Sequence, residues 1–318
     1  MTRPVSIVLP SLFDTGLFER SLPPLLAETA RRDVNDEVLV VDDTGDDLLG
    51  PWMRERFPTV RILAREENGG FAKALLDGVA AAEHPLVFCM NPDVVVTERF
   101  LEPLIECLED PTVDSAVPQI LLHGDREKIE SVTEIRIRRG LGEVGQPGLE
   151  GRASEFRDKV RPVAYAIGGA CMLRRDEFVG AGGCDPIFEP FYWEDVDVGW
   201  RAWRAGKSVL YAPASVVEHH HRGTIKGRVK EGLVRAMIEK NRLLFQWKYL
   251  DDEDEIREHM AALYRWAIDA WLGDEREELI WLALALDQIQ EVAASRERLP
   301  AATRGYGEIR SLTSAEAE

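Results

Sequence analysis

Short apolar runs rich in β-branched residues alternate with helical stretches through the first third of the chain, and this alternation constrains the fold most. Val5 to Pro10, Glu37 to Asp43, Val60 to Leu63 and Leu86 to Asp93 each have the composition of a buried strand. Apolar residues recur at helical spacing between these runs. Strands that alternate with helices predict an α/β fold with a mostly parallel, doubly wound sheet.

A proline or polar residues stand where three of the predicted strands end. Pro10 closes the first strand, Asp42 and Asp43 close the second, and Asn91 and Asp93 close the fourth. Open α/β sheets bind ligands outside the carboxyl ends of their strands. These strand ends are therefore the first candidate for a binding site.

The pattern changes twice further along the chain. Residues 123–162 are charged and rich in glycine, which predicts a long binding excursion with one hairpin. Residues 164–175 predict another buried strand. From residue 230 onwards the alternation stops, and three helical stretches follow.

The composition excludes several classes of protein. The 318 residues carry a net charge of −18, which repels phosphate polymers and predicts no nucleic-acid partner. No apolar run reaches the roughly 18 residues that span a bilayer, and no N-terminal signal is expected. The four cysteines lack CxxC spacing, which favours a reduced, cytoplasmic protein. No GxGxxG motif follows the first or second strand, which argues against a nicotinamide-dependent dehydrogenase.

The stretch FEPFYWEDVDVGWRAWRAG, from Phe188 to Gly206, places three acids directly after four aromatic rings. A helix from residue 195 to 205 would carry one apolar face, formed by Val196, Gly199, Trp200 and Trp203. The acids have two explanations. In one, Asp195 caps the helix and Asp197 pairs with Arg201. In the other, the rings desolvate a carboxylate and raise its pKa, as suits a general base.

The whole set of motifs resembles glycosyltransferase family 2. The run from Ile167 to Thr224 resembles the C-terminal half of that catalytic domain. The stretches VSIVLPSLFD, EVLVVDDTGDD, NGGFAKAL and MNPDVVV resemble its N-terminal half, in the same order. The NPD and EDVD forms are most similar to the rhamnosyltransferase-like branch.

The resemblance implies a GT-A fold and a domain organisation. Residues 1–228 would form the catalytic domain, with a donor half at 1–115 and an acceptor half at 116–228. Residues 229–318 would form a helical extension with a frayed tail.

The resemblance also implies an activity. It is that of an inverting glycosyltransferase that moves a sugar from a UDP-, dTDP- or GDP-sugar to an acceptor hydroxyl, in the synthesis of a polysaccharide, glycolipid or related glycoconjugate. Asp195 matches the acid that deprotonates the acceptor hydroxyl. Glu194 and Trp193 are expected to contact the acceptor.

The donor side follows from the same resemblance. The residues expected to bind the nucleotide-sugar are Pro10, Asp42, Asp43, Asn68, Gly69, Lys73, Asn91 and Asp93. A divalent cation, Mg²⁺ or Mn²⁺, is expected at Asp93 and His219, with His221 as the alternate ligand. Asn91 departs from the family's DxD motif, because an amide oxygen is a weaker ligand than a carboxylate.

Several alternatives stay open at this point. A non-catalytic nucleotide-sugar-binding protein would also fit the incomplete DxD motif. A nucleotidyltransferase fits less well, because no glycine- and arginine-rich loop follows the first strand. The basic residues Arg222, Lys226, Arg228 and Lys230 are either a solvated loop or a lid over the diphosphate. An apolar stripe at Leu279, Leu282, Leu286 and Ile289 predicts either a homodimer contact or an intramolecular cap.

Overall fold

A computed structural model describes residues 3–46, 48–220, 230–273 and 278–317. The strands are β1 Ser6–Ser11, β2 Glu37–Asp42, β3 Arg61–Ala64, β4 Leu86–Met90, β5 Val94–Val96, β6 Val113–Leu122, β7 Asp125–Ile129, β8 Glu134–Arg138, β9 Leu141–Gly145, β10 Arg161–Pro162, β11 Ala170–Arg174 and β12 Ser208–His219. The helices are α1 Thr15–Arg32, α2 Leu49–Arg56, α3 Phe71–Ala81, α4 Leu101–Cys107, α5 Arg175–Gly180, α6 Glu194–Arg204, α7 Glu231–Tyr249, α8 Glu253–Leu272, α9 Leu279–Asp287, α10 Ile289–Glu297 and α11 Tyr306–Thr313.

One large mixed sheet organises the described residues, in the order β10-β12-β6-β11-β4-β1-β2-β3. Strands β1 to β4 are parallel to their neighbours within this group, and β12 runs parallel to β6. Strand β11 is antiparallel to both β4 and β6. The predicted α/β fold with C-terminal helices is confirmed, and the excursion at 123–162 contains the β8–β9 hairpin.

The strands that carry the candidate site are the most deeply buried. Every residue of β1, β2 and β4 is buried, as expected for strands covered on both faces. Helix α3 lies close to β1 and β2 because Gly78 has no side chain at their contact. A Cβ at Gly78 would stand 2.5 Å from Val8 and 2.6 Å from Val41. This close packing brings the turn that precedes α3 to the carboxyl ends of the strands.

The C-terminal helices pack against α6. The ring of Trp200 on α6 lies 5.3 Å from Phe245 on α7 and 5.0 Å from Tyr306 on α11. The expected frayed tail is therefore wrong: Tyr306 and Ile309, three residues apart, form an apolar face that is fully buried. The backbone N–H of Ala315 also donates to Glu134 at 2.6 Å.

The predicted boundary between 228 and 229 lies outside the described residues and stays a prediction. Among the helices that are described, none has both the length and the apolar character needed to cross a bilayer.

Candidate functional site

The Asp42 carboxylate stabilises the connection between β2 and α2. Its Oδ1 accepts hydrogen bonds from the backbone N–H and hydroxyl of Thr44, at 3.1 and 2.6 Å, and its Oδ2 accepts from the N–H of Leu49 at 3.2 Å. The carboxylate is buried, with both oxygens engaged by the chain itself. Its predicted contact with a donor stays a prediction.

Asp43 shapes the turn before α3. Its Oδ1 accepts from the N–H of Gly69 at 2.9 Å and from the Arg65 guanidinium, and its Oδ2 accepts from the N–H of Gly70 at 2.9 Å. The Asn68 amide oxygen accepts from the same Gly70 N–H at 3.2 Å. The structure thus brings the predicted residues Asp43, Asn68 and Gly69 together, with Arg65 as a partner that sequence reasoning missed.

The remaining predicted donor residues lie around this edge. Pro10 is buried near the end of β1. The carbonyl of the next residue, Ser11, accepts a hydrogen bond from the N–H of Asp43 at 3.0 Å. Lys73 is exposed on the first turn of α3 and lies 3.5 Å from the Glu189 carboxylate. A lysine held this loosely is free to turn towards an anion.

A glycine pair joins the two predicted halves of the site. The N–H of Asn91 donates to the carbonyl of Gly169 at 2.8 Å, and a Cβ on Gly169 would stand 2.5 Å from the Asn91 amide. The N–H of the preceding Gly168 donates to Asp195 Oδ2 at 3.2 Å. Asn91 and Asp195 are therefore separated by a single two-residue turn.

Asp93 and His219 form the predicted metal pair. His219 Nε2 lies 3.4 Å from Asp93 Oδ2, and its Nδ1 lies 2.8 Å from Glu130 Oε2. Burial lowers the pKa of His219, but the hydrogen bonds to Asp93 and Glu130 outweigh that effect and raise it to about 9. Glu130 lies in the 123–162 excursion, and nothing in its sequence context distinguishes it from the other acids there.

This arrangement fits a divalent cation. A carboxylate oxygen and an imidazole nitrogen face each other, and both are ordinary ligands of such ions. Glu130 holds the other imidazole nitrogen, which is the usual way of orienting a metal-binding histidine. Asp93 and His219 are thus the residues that would hold the ion.

A second group of potential ligands within the described ranges is less suitable. His123, Glu218 and His220 have ligand atoms within 4.8 Å of one another, and the two imidazole rings stack at 3.7 Å. However, the Arg126 guanidinium lies 2.6 Å from Glu218, and that of Arg20 lies 3.4 Å from His220. These two cations oppose the binding of a third.

The described residues do not include the alternate metal ligand His221. They also do not include three of the four basic residues of the predicted lid: Arg222, Lys226 and Arg228. Lys230 is exposed immediately before α7.

Glu194 and Asp195 form an adjacent acidic pair at the start of α6. Asp195 accepts from the N–H groups of Gly168 and Val196, while burial raises its pKa above the ordinary value against these hydrogen bonds. Burial and the neighbouring charge of Asp195 raise the pKa of Glu194 to about 8. Both effects favour the neutral form of Glu194, and the role of Asp195 as the base stays a prediction.

The rings before the acids take two different positions. Trp193 is only 6% exposed, and its ring packs on Phe245 at 5.2 Å. The predicted contact between this ring and an acceptor is therefore not supported, because α7 covers the indole. Tyr192 is the more exposed ring, and both residues adopt a left-handed backbone conformation with φ near 70°.

Helix α7 holds this aromatic segment by its backbone. The Asn241 side-chain nitrogen lies within hydrogen-bond distance of the carbonyls of Phe188, Phe191 and Tyr192, at 2.8, 3.0 and 2.8 Å. Asn241 is fully buried. One side chain from the C-terminal helices thus fixes the path of the chain into Glu194 and Asp195.

A buried charge cluster fixes α6 from the other side. Lys248 Nζ lies 2.5 Å from Asp197 and 2.8 Å from Asp185, and the Tyr249 hydroxyl donates to Asp197 at 2.6 Å. The predicted pairing of Asp197 with Arg201 is also present, at 2.9 Å. The carboxylate of Asp197 is therefore neutralised by two cations and does not act as a free base.

Comparison with solved structures defines the class of fold. The chain is similar to GalNAc-T7 in complex with UDP, GalNAc and Mn²⁺, with a TM-score of 0.63, 17% identity, and coverage of 93% of this chain and 58% of that one. It is also similar to a mannosyltransferase from Pyrobaculum calidifontis in complex with GDP-Man and Mn²⁺, with a TM-score of 0.56, 16% identity, and coverage of 93% and 86%. These similarities confirm the GT-A-like fold.

The chain belongs to glycosyl transferase family 2, whose family model matches residues 6–178. It is 27% identical to a pre-mycofactocin glycosyltransferase of Mycobacterium tuberculosis, over 59% of this chain and 38% of that protein. It is also 27% identical to an N-acetylglucosaminyl-diphospho-decaprenol L-rhamnosyltransferase of the same species, over 58% of this chain and 66% of that protein. The chain thus spans about two fifths of the length of the first relative.

Proposed function

We propose that the protein is an inverting glycosyltransferase that uses a nucleotide-diphosphate sugar. The observation that carries this proposal is the Gly168–Gly169 turn, which places Asp195 beside Asn91 at one edge of the sheet. Asp195, the proposed base, is thereby adjacent to the end of β4, which is expected to face the diphosphate. Membership of the family supports the same assignment.

The reaction proposed is a single displacement. Asp195 accepts the proton of an acceptor hydroxyl, whose oxygen forms a bond to the anomeric carbon of the sugar. The bond from that carbon to the diphosphate oxygen breaks, and the nucleoside diphosphate leaves with the bonding electrons. Attack from the face opposite the leaving group inverts the anomeric configuration.

The donor would lie along the carboxyl ends of β1, β2 and β4. We assign Pro10, Asp43, Asn68 and Gly69 to its nucleotide end and Lys73 to its diphosphate. Asp93 and His219 would hold a divalent cation, Mg²⁺ or Mn²⁺, which supplies charge neutralisation for the leaving diphosphate. The two structural relatives were each solved with a nucleotide or nucleotide-sugar and Mn²⁺, which supports this proposal.

A thermal-shift panel tests the donor side directly. UDP-, dTDP- and GDP-sugars should each be measured with and without Mn²⁺, and one of them should raise the unfolding temperature more with the ion present. A panel with no stabilising donor would overturn the proposal. Stabilisation without any nucleotide release or transfer would favour the non-catalytic nucleotide-sugar-binding protein instead.

We further propose that the acceptor belongs to a polysaccharide, glycolipid or related glycoconjugate and that transfer occurs in the cytoplasm. The named activities of the relatives, on a mycofactocin precursor and on a diphosphodecaprenol-linked sugar, support the first point. The four cysteines without CxxC spacing support the second.

We also propose that the chain forms a homodimer through its C-terminal helices. In the predicted stripe, Leu286 and Ile289 are exposed and Leu279 and Leu282 are half-buried. A longer exposed face lies on α8, where large apolar residues recur every four positions: Ile256, Met260, Tyr264, Ile268 and Leu272. A stable interface buries on the order of 800 Å² per partner, and this face would form its apolar centre.

Sedimentation of Tyr264→Glu tests the dimer. Because a charge on a two-fold apolar contact is repeated in both copies, this variant should sediment as a monomer and the parent as a dimer. Val160→Glu, at an exposed apolar residue outside the C-terminal helices, should leave the parent state unchanged. A monomeric parent chain would overturn the proposal.

A further inference from the structure

A cavity of about 560 Å³ opens beside the acidic pair. Its walls come from α3, α5 and α6, and its floor is β11, while Glu194 and Asp195 line one end. Most of the lining surface is apolar and includes Leu75, Phe178 and Val198, while charged residues such as Arg201 and Lys207 also line the cavity. Its volume falls within the range of about 300–1,000 Å³ that is usual for pockets enclosing small ligands.

The cavity is reached from Asp195 through the Gly168 side of the turn and is separate from the predicted donor residues. None of the predicted donor residues lines it. Asn91 contacts Gly169, whereas Asp195 contacts Gly168, and only Gly168 lines the cavity. A molecule in the cavity therefore approaches the base from the side of the turn away from Asn91.

Glu194 provides a polar anchor at the same end. Its Oε2 is buried and has no hydrogen-bond partner within the part of the chain that the structure describes. Buried polar atoms are nearly always paired, and a carboxyl group can both donate to and accept from a hydroxyl. The unpaired oxygen suits the hydroxyl of a ligand that occupies the cavity.

We propose that this cavity binds the apolar part of an amphipathic acceptor and presents the acceptor's hydroxyl to Glu194 and Asp195. The inference rests on the proposed transfer reaction and specifies its acceptor as a hydroxyl compound with an aliphatic or aromatic group. A purely polar sugar chain would leave the apolar walls facing polar atoms, which burial disfavours.

Linear primary alcohols from butanol to octanol are suitable probes, because they keep the hydroxyl constant and vary only the apolar part. Their dissociation constants are measured by calorimetry, with the donor identified by the thermal-shift panel present. Each added methylene that enters the cavity should tighten binding about fourfold. Release of nucleoside diphosphate, measured in parallel, should rise with chain length at a fixed alcohol concentration.

Substitutions in the cavity provide the structural control. Ala202 lines the cavity from α6 and is buried, so Ala202→Phe fills part of the space. Ala261→Phe makes the same change at an exposed position on α8. If Ala202→Phe does not fold, Ala166→Leu replaces it at another buried residue of the lining.

The expected result is chain-length-dependent binding in the parent and in Ala261→Phe, weakened at least tenfold in the cavity variant, with donor binding unchanged. Equal binding of all the alcohols, or the same dependence in the cavity variant, would overturn the inference while leaving the proposed function intact. Chain-length-dependent binding with no nucleotide release at any length would overturn both, because the cavity would then hold a ligand that is not an acceptor.

Discussion

The two sides of the candidate site are held in place by different parts of the molecule. On the donor side, Asp42 and Asp43 are bonded by residues close to them in the same half of the chain, such as Thr44 and Gly69. On the other side, the segment that leads into Asp195 is held by α7, about 50 residues further along the chain. The C-terminal helices are therefore part of the proposed catalytic architecture, and changes in them should affect the proposed base before they affect donor binding.

Replacing Asp195, the proposed base, should have the largest effect, and the effect should be on the rate of transfer. Asp195→Asn keeps one oxygen that can accept from the backbone N–H of Gly168, loses the oxygen that accepts from that of Val196, and cannot take a proton. We expect the rate of transfer to fall by about 10²–10⁴-fold, with donor binding retained. Initial rates and thermal shifts on the same preparation check both parts, and a variant that keeps a third of the parent rate would refute the assignment.

Removing the buried cation on α7 should cost the most stability. Lys248→Met leaves the buried Asp197 and its neighbour Asp185 without their shared ammonium group. Breaking a buried pair in this way should destabilise the fold by about 3–5 kcal/mol. Urea unfolding measures the loss, and Arg257→Met, which breaks an exposed pair on α8, should cost no more than about 1 kcal/mol.

Substitution of Asn241, whose amide holds the aromatic segment, distinguishes an effect on the position of α6 from an effect on donor binding. Asn241→Ala releases the carbonyls of Phe188, Phe191 and Tyr192, so that the start of α6 can shift. A displacement of about 1 Å can lower a rate by 10²-fold, and we expect a loss of up to that size in kcat. The dissociation constant of the donor should not change. A rise in that constant with kcat preserved would show that α7 serves the donor side instead.

The carboxylate behind the predicted metal pair gives a smaller effect on the donor side. Glu130→Gln weakens the hydrogen bond that orients His219, which should reduce Mn²⁺ affinity about 10–100-fold. Calorimetric titration with Mn²⁺ measures this without reference to activity. Glu127→Gln, at an exposed position on β7, should bind as the parent does, and equal affinity in both variants would remove Glu130 from the site.

A further prediction concerns the pH dependence of stability. Because the pKa of Glu194 is raised to about 8 in the folded protein, the folded state binds more protons than the unfolded state between about pH 4.5 and 8. Stability from this group is therefore lost as the pH rises through that range. Glu194→Gln stays neutral, so its stability relative to the parent should increase from pH 5 to pH 8. A constant difference across urea unfolding at these two pH values would contradict the raised pKa.

The strand ends of the proposed donor site were easier to predict from the sequence than the segment that leads into Asp195, for a physical reason. Strand periodicity and terminal polar residues locate Pro10, Asp43 and Asn91 without tertiary information. Asn241 and Lys248 stand in a helix with no local sign that they are buried, and only their distant partners show their role.

The same limit explains the errors. As one of the rings directly before the acids, Trp193 is expected to contact the acceptor, but Phe245 of α7 packs on its ring. The tail looked polar, yet Tyr306 and Ile309 find a place on the core.

The anomeric configuration of a transfer product tests the central claim most directly. Methanol is small enough to take the acceptor's place, and a methyl glycoside does not interconvert between anomers in water. Once a donor is identified, the account predicts that NMR of the product formed by the parent enzyme shows the configuration opposite to that of the donor, and that Asp195→Asn forms almost none. A product with the donor's own configuration would contradict a single displacement with Asp195 as the base.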